Sequence, residues 1–165
     1  ALLYPVSAMG AHVSVRPNHA VGRVTPFETR GDVALLGTFG YELDITKLSD
    51  EEKEQVKVQI EKYHKYNDLI REGDYYRLAS VSDNGYYDSW MIVEKDKSRA
   101  LMFYVQVTAR ANAKSRFVRL AGLDPKKRYI VGGKTYAGST LMRAGVRIPS
   151  EFGDFKSRLI EIAEA

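Results

Sequence analysis

Glu42 and Asp44 stand two residues apart, so in an extended strand their carboxylates fall on one side of the chain. Such a pair could imitate the two carboxyl groups of an acid–base catalyst. It also reads as an ordinary strand end, with Asp44 near the following loop and Glu42 hydrogen-bonded. Two histidines, His12 and His19, lie further upstream. Their separation suits no compact zinc motif, and His64 sits within a run of charged residues, so no metal site is expected. Ser7 and Ser14 form no nucleophile arrangement with these histidines. The Gly37-Thr38-Phe39-Gly40 segment does not match a phosphate-binding fingerprint. Trp90 and the 11 tyrosines can make a sugar-stacking platform or a core, and in strands the core use is the commoner.

The elements that would hold these residues change character near Gly73. From Leu2 to Glu72 the pattern is strand, helix, strand, helix. Leu2, Leu3, Val6 and Ala8 form an apolar run that reads as a buried parallel strand, not a leader peptide. A loop follows from Met9 to Val24, rich in residues that favour irregular backbone. Thr25-Pro26-Phe27-Glu28 predicts a helix start, with Thr25 as cap, Pro26 at the first helical position and Glu28 reaching back. That helix runs to Gly37, and Thr38 to Leu43 reads as a second strand. Ser49-Asp50-Glu51-Glu52 is a capping box that opens a helix from Asp50 to Glu72. Val56, Ile60, Tyr63 and Ile70 supply its expected apolar stripe, and Gly73 stops it.

After Gly73 short runs rich in Tyr, Val, Met and Phe alternate with turn residues. Strands are expected at Tyr75–Ser80, Tyr86–Glu94, Ala100–Val107 and Phe117–Leu120. Further strands are expected at Arg128–Val131, Thr140–Arg143 and Arg158–Ile162. Asp83-Asn84-Gly85 and Gly132-Gly133 are the clearest turns. Short strands without intervening helices predict an antiparallel β-sandwich. The first section cannot close a fold alone, because parallel strands need helices on both faces or a closed barrel. The pattern therefore predicts further structure upstream.

The chain has 165 residues, no cysteine, 44% hydrophobic and 28% charged residues, which suits a soluble globular protein and permits a reducing cytoplasm. No apolar run approaches the roughly 20 residues that span a bilayer. Net charge is +4. Its 25 basic residues are interleaved with 21 acidic ones, so no nucleic-acid groove is expected.

The segment from Tyr4 through Met9-Gly10-Ala11-His12-Val13-Ser14 resembles part of the bacterial-type α-galactosidases of glycoside hydrolase family thirty-six. Pro17-Asn18-His19, Gly22-Arg23-Val24-Thr25-Pro26 and Glu28-Thr29-Arg30-Gly31 continue the resemblance in order. Gly37-Thr38-Phe39-Gly40-Tyr41-Glu42-Leu43-Asp44 and Leu48-Ser49 extend it. Gly73-Asp74-Tyr75-Tyr76-Arg77-Leu78, Gly122-Leu123-Asp124-Pro125, Tyr136, Gly138, Leu141-Met142 and Gly145 are similar to the family's C-terminal region. Family members often carry Gln after the histidine of the Pro-Asn-His segment, where Ala20 stands in this chain.

The resemblance implies an α+β multidomain fragment. Residues 1–72 would be the last two βα units of a (β/α)₈ catalytic barrel, and residues 73–165 a C-terminal antiparallel β-sandwich. It also implies a retaining α-galactosidase acting on terminal α-galactosides of the raffinose type, without cofactor. Both catalytic Asp motifs of the family lie upstream of the matched region, so no catalytic residue is carried over and the fragment alone is expected to be inactive. His12 and His19 would follow a barrel strand, at the end where such barrels bind substrate, and either could contact a sugar hydroxyl or pack its loop. The partners implied are a galactoside and further copies of the chain, with no nucleic acid and no membrane; the expected compartment is the cytoplasm. A carbohydrate-binding or oligomerisation β-sandwich is the alternative reading.

Overall fold

The computed structural model describes residues 4–165. The chain forms two compact units, Ala1–Arg71 and Glu72–Ala165. The first contains a parallel pair of strands backed by helices, and the second is antiparallel throughout.

In the first unit, strand β1 is Gly10–Ser14, helix α1 is Phe27–Ala34, strand β2 is Thr38–Glu42 and helix α2 is Asp50–Glu72. β1 and β2 pair in parallel, with His12 opposite Gly40 and Ser14 opposite Glu42. Among the described residues, Tyr4–Ala8 of the expected strand does not form one. Val6–Ala8 is a 3₁₀ turn, Leu2 and Leu3 lie outside the described residues, and the parallel strand falls in the segment expected to be loop. Its signal is alternation: Val13 is fully buried and Ala11 packs beside it, while His12 and Gly10 are exposed. One polar face hid the strand behind the more continuous apolar run before it.

Val13, Phe27 and Ala34 form the core of this unit, with Phe39, Tyr41, Leu43, Leu48 and Val56 packed against them. α1 begins at Phe27 with Pro26 as its cap residue, and no side chain caps it. Thr25 therefore does not play the expected capping role; Pro26 holds an extended ψ of 146° and stays outside the helix.

The start of α2 follows its sequence closely. Ser49 Oγ accepts from Glu52 N at 3.2 Å and Glu52 Oε2 accepts from Ser49 N at 3.2 Å, so each residue satisfies a donor of the other. Of the expected stripe only Ile70 is buried; Val56 and Tyr63 are half-buried. Gln59, Tyr66, Leu69 and Ile70 are buried, whereas Ile60 is 40% exposed. Hydrogen bonds explain the exchange: Gln59 Nε2 donates to Phe27 O at 3.0 Å and Gln59 Oε1 accepts from Tyr41 Oη at 2.8 Å. A buried amide with both ends satisfied can occupy a core position.

The second unit opens with strand β3 (Asp74–Ala79), the four-residue helix α3 (Val81–Asn84), and strands β4 (Tyr87–Val93) and β5 (Arg99–Gln106). It continues with β6 (Arg116–Val118), β7 (Arg128–Val131), β8 (Lys134–Ala137), helix α4 (Gly138–Arg143), β9 (Val146–Ile148) and β10 (Lys156–Glu164). Six strands form one sheet in the order β3-β4-β5-β10-β7-β8, and β6 pairs separately with β9. The last strand thus lies inside the sheet, paired with β5 from Lys156 opposite Gln106 to Ala163 opposite Arg99.

Met91, Met102, Tyr104, Tyr129 and Ile162 from the large sheet share a core with Val118, Ile148 and Leu141. Trp90, Ile92, Leu101 and Phe103 alternate with the core residues of β4 and β5 and are also buried. Both faces of these two strands are dry, which is why they read as continuous apolar runs.

Thr140–Arg143, expected as a strand, lies in α4, because Gly138 and Ser139 start a helical turn there. The expectation missed β8 and β9, which are only 4 and 3 residues long. Asp83-Asn84-Gly85 ends α3, with Gly85 left-handed at φ 74°, whereas Gly132 and Gly133 form the β7–β8 hairpin turn at φ 55° and 75°.

Candidate functional site

The two parallel strands of the first unit have unlike faces. Ala11, Val13, Phe39 and Tyr41 point to the helices. The alternate residues, His12, Ser14, Gly40 and Glu42, occupy the opposite face. Gly40 has no side chain there, and nothing lies within 4 Å of where its β-carbon would be. Across that gap His12 Nε2 reaches Glu42 Oε2 at 2.5 Å, with the two side chains 50% and 69% exposed.

The chemistry of this pair follows from its donors. A carboxylate only accepts, so Nε2–H of His12 is the donor, and in the neutral imidazole Nδ1 is then an acceptor. Nδ1 has no protein partner among the described residues. Glu42 holds one ring nitrogen and leaves the other open.

Asp44 does not complete a two-carboxylate device with Glu42. Its side chain turns to the loop that follows β2, accepting from Thr46 N at 3.0 Å and from Thr46 Oγ1 at 2.6 Å. The Thr46 hydroxyl, then its amide, holds the Asp44 carboxyl below the ordinary range. An ionised, locally capped aspartate is a structural residue.

His19 stands in the loop between β1 and α1 and is exposed. Asn18 shapes that loop: its side-chain oxygen accepts from Ala20 N and Val21 N, each at 3.1 Å, and Gly22 N donates to Asn18 O at 2.8 Å. His19 forms no hydrogen bond or ion pair among the described residues, so the structure brings His12 and Glu42 together but not His19. The loop's two ends are tied by one residue that sequence reasoning left without a role. Arg30 Nη1 donates to Ser14 O and Nε donates to Thr25 O at 3.2 Å. Arg30 stands in the Glu28-Thr29-Arg30-Gly31 segment, but a clamp on residues 5 and 16 positions away has no local signature.

Trp90 is buried and stacked on Phe103 with centroids 5.3 Å apart, so it offers no exposed stacking platform. Among the described residues, no three of His, Asp and Glu gather as a metal site, and no helix is long and apolar enough to cross a membrane.

The family model described as Melibiase matches residues 1–73, and that of the glycosyl hydrolase family 36 C-terminal domain matches residues 87–162. The chain belongs to glycosyl hydrolase family 36. It is 48% identical over 159 residues to α-galactosidase AgaA of Geobacillus stearothermophilus, covering 96% of this chain and 22% of that protein. It is 46% identical to the bifunctional α-galactosidase/sucrose kinase AgaSK of Mediterraneibacter gnavus, covering 98% of this chain and 18% of that protein. The crystal structure of a G. stearothermophilus AgaA variant with raffinose superposes with a TM-score of 0.95 at 46% identity, covering 99% of this chain and 23% of that one. The chain thus spans about a fifth of the length of the family 36 relatives it matches.

Proposed function

We propose that this chain is the C-terminal part of a retaining α-galactosidase that hydrolyses terminal α-galactosides of the raffinose type. Residues 1–72 supply the last two βα units of its (β/α)₈ barrel, and residues 73–165 supply a C-terminal β-sandwich. The observation that carries the reading is the unequal clothing of β1 and β2. Helices cover one face, while the other holds a small residue and an oriented imidazole, as the inner face of a substrate-binding barrel requires. The identity to AgaA, and that protein's structure with raffinose, support the substrate class.

In this reading His12 contacts a galactoside hydroxyl through Nδ1, and Glu42 orients it. His19 serves the outer part of the same site from its clamped loop. The two carboxylates of a retaining mechanism must stand about 5–5.5 Å apart around the scissile bond, and they come from chain upstream of Ala1. The enzyme works in the cytoplasm as a homo-oligomer. The alternative of a carbohydrate-binding module has less behind it, since Trp90 is buried against Phe103.

The test compares the 165-residue chain with the same chain joined to its upstream coding sequence, using p-nitrophenyl α-galactoside. The long form should turn over the substrate and the short form should not. In the long form His12→Ala should lower kcat/KM by about tenfold, the worth of one hydrogen bond to a bound sugar. Turnover by the short form, lost on Glu42→Gln or Asp44→Asn, would overturn the assignment.

A further inference from the structure

Between the carboxyl ends of β1 and β2 and the first turns of α1 and α2 lies a groove of about 430 Å³. Arg16, Arg30, Lys47, Asp44 and Glu52 line it. Lys47 pairs with Asp44 at 3.5 Å, leaving Glu52 to face two guanidinium groups. It meets both with one oxygen: Glu52 Oε1 is 3.2 Å from Arg16 Nη2 and 3.9 Å from Arg30 Nη2. The other oxygen, Oε2, accepts from Ser49 N in the capping box. Ser49 N and Arg16 thus lie within hydrogen-bond distance of this carboxylate, and Arg30 Nη2 stands beyond it.

Arg30 is left short. Its side chain is only 10% exposed, Nε and Nη1 are used on Thr25 O and Ser14 O, and Nη2 is buried with no hydrogen-bond partner among the described residues. A guanidinium cannot shed its proton to escape this, so a buried unpaired N–H carries the full cost of lost hydration. Burial and the neighbouring Arg16 both push the Arg30 pKa down, in that order, and Glu52 only partly offsets them. The groove has the room, the positive excess and the buried donor that an anion requires.

We propose that this groove is an oxyanion site, in which a carboxylate or phosphate group bridges Arg30 Nη2 and Arg16. Planar guanidinium pairs bind these groups through short charge-assisted hydrogen bonds. The ligand complements Glu52 and leaves the α2 capping box intact. Because Arg30 also ties Ser14 to Thr25, an occupied site stiffens the loop that carries His19. This proposal depends on the first unit alone and stands or falls apart from the glycosidase reading.

The experiment titrates inorganic phosphate, and separately acetate, into the 165-residue protein while following the side-chain N–H resonances of Arg30 and Arg16. A saturable shift of both with millimolar affinity is expected. Arg16→Gln should weaken binding about tenfold, the loss of one charged hydrogen bond. Arg16 is the deciding variant because its side chain pairs only with Glu52 among the described residues, so its loss does not release the loop. Lys47→Gln, at a side chain 82% exposed and already paired, should change affinity by less than about twofold. A side-chain carboxylate from another segment of a longer protein would satisfy the same chemistry. In that case phosphate shifts the resonances of the short chain and not those of the longer one. No shift of Arg30 in the short chain, or an Arg16→Gln titration identical to the parent's, would overturn the proposal.

Discussion

A β-carbon on Gly31 would lie 2.3 Å from Cδ of Gln59, which packs across α1 where that side chain is absent. Gln59 cannot swing aside without cost, because its two polar ends hold Phe27 O and Tyr41 Oη. Glycine inside a helix ordinarily loses about 0.5–1 kcal/mol to alanine. Here the sign reverses: Gly31→Ala should destabilise the first unit by about 1–3 kcal/mol through overpacking. Amide exchange along α1 and α2 would measure it, and slower exchange in the variant would contradict the packing argument.

Ser49→Ala removes one half of the capping box and should cost about 0.5–2 kcal/mol, toward the lower end because Ser49 is exposed and water can reach the freed amide. Faster exchange of the Glu52 amide and lower helicity by circular dichroism are the expected signs. An unchanged Glu52 amide would mean water replaces the cap at no cost.

Tyr41 gives the first unit an alkaline limit. Burial pushes its pKa up to about 12 from an ordinary 10. Below pH 10 the phenol is protonated folded or unfolded, and stability does not depend on it. Above pH 10 the unfolded chain loses this proton and the folded chain keeps it, so stability falls until pH passes the folded value. Denaturant midpoints measured from pH 9 to about 12 should show this fall, and Tyr41→Phe should flatten it. An equally steep fall in the variant would assign the effect to other groups.

What could be read from the chain depended on how local the determining interaction was. The Ser49–Glu52 box and the apolar runs of β4 and β5 are written in consecutive residues, and α2 and the central sheet strands were legible from them. The choice of Gln59 over Ile60 for the core is set by Tyr41 and Phe27, 18 and 32 residues away, and hydropathy points the wrong way. β1 was displaced for a related reason, since the face bearing Gly10 and His12 lacks the apolar character of a strand buried on both sides. The site divides in the same manner. His12 could be singled out by type and by its place within the resemblance segment, but its partner Glu42 lies diagonally across a parallel register. The Arg30 clamp spans a whole loop and leaves no local trace.

Two glycines of the second unit separate backbone strain from crowding. Gly132 and Gly145 both have positive φ, 55° and 87°. Nothing lies within 4 Å of a β-carbon built on Gly132, whereas one on Gly145 would fall 2.5 Å from Val118 O and 2.6 Å from Val118 C. Gly132→Ala should therefore cost only the left-handed backbone term, about 1–2 kcal/mol. Gly145→Ala carries a comparable term and must also drive backbone from backbone where α4 turns into β9. That contact cannot be relieved by a rotamer, because Val118 is held in the β6–β9 pair opposite Val146. The second substitution should thus exceed the first by about 1–3 kcal/mol, the usual range for overpacking. Paired denaturant melts followed by Trp90 fluorescence would give the difference. Equal losses would mean that β6 shifts freely, and the two-stranded layer would then have to be regarded as loosely held.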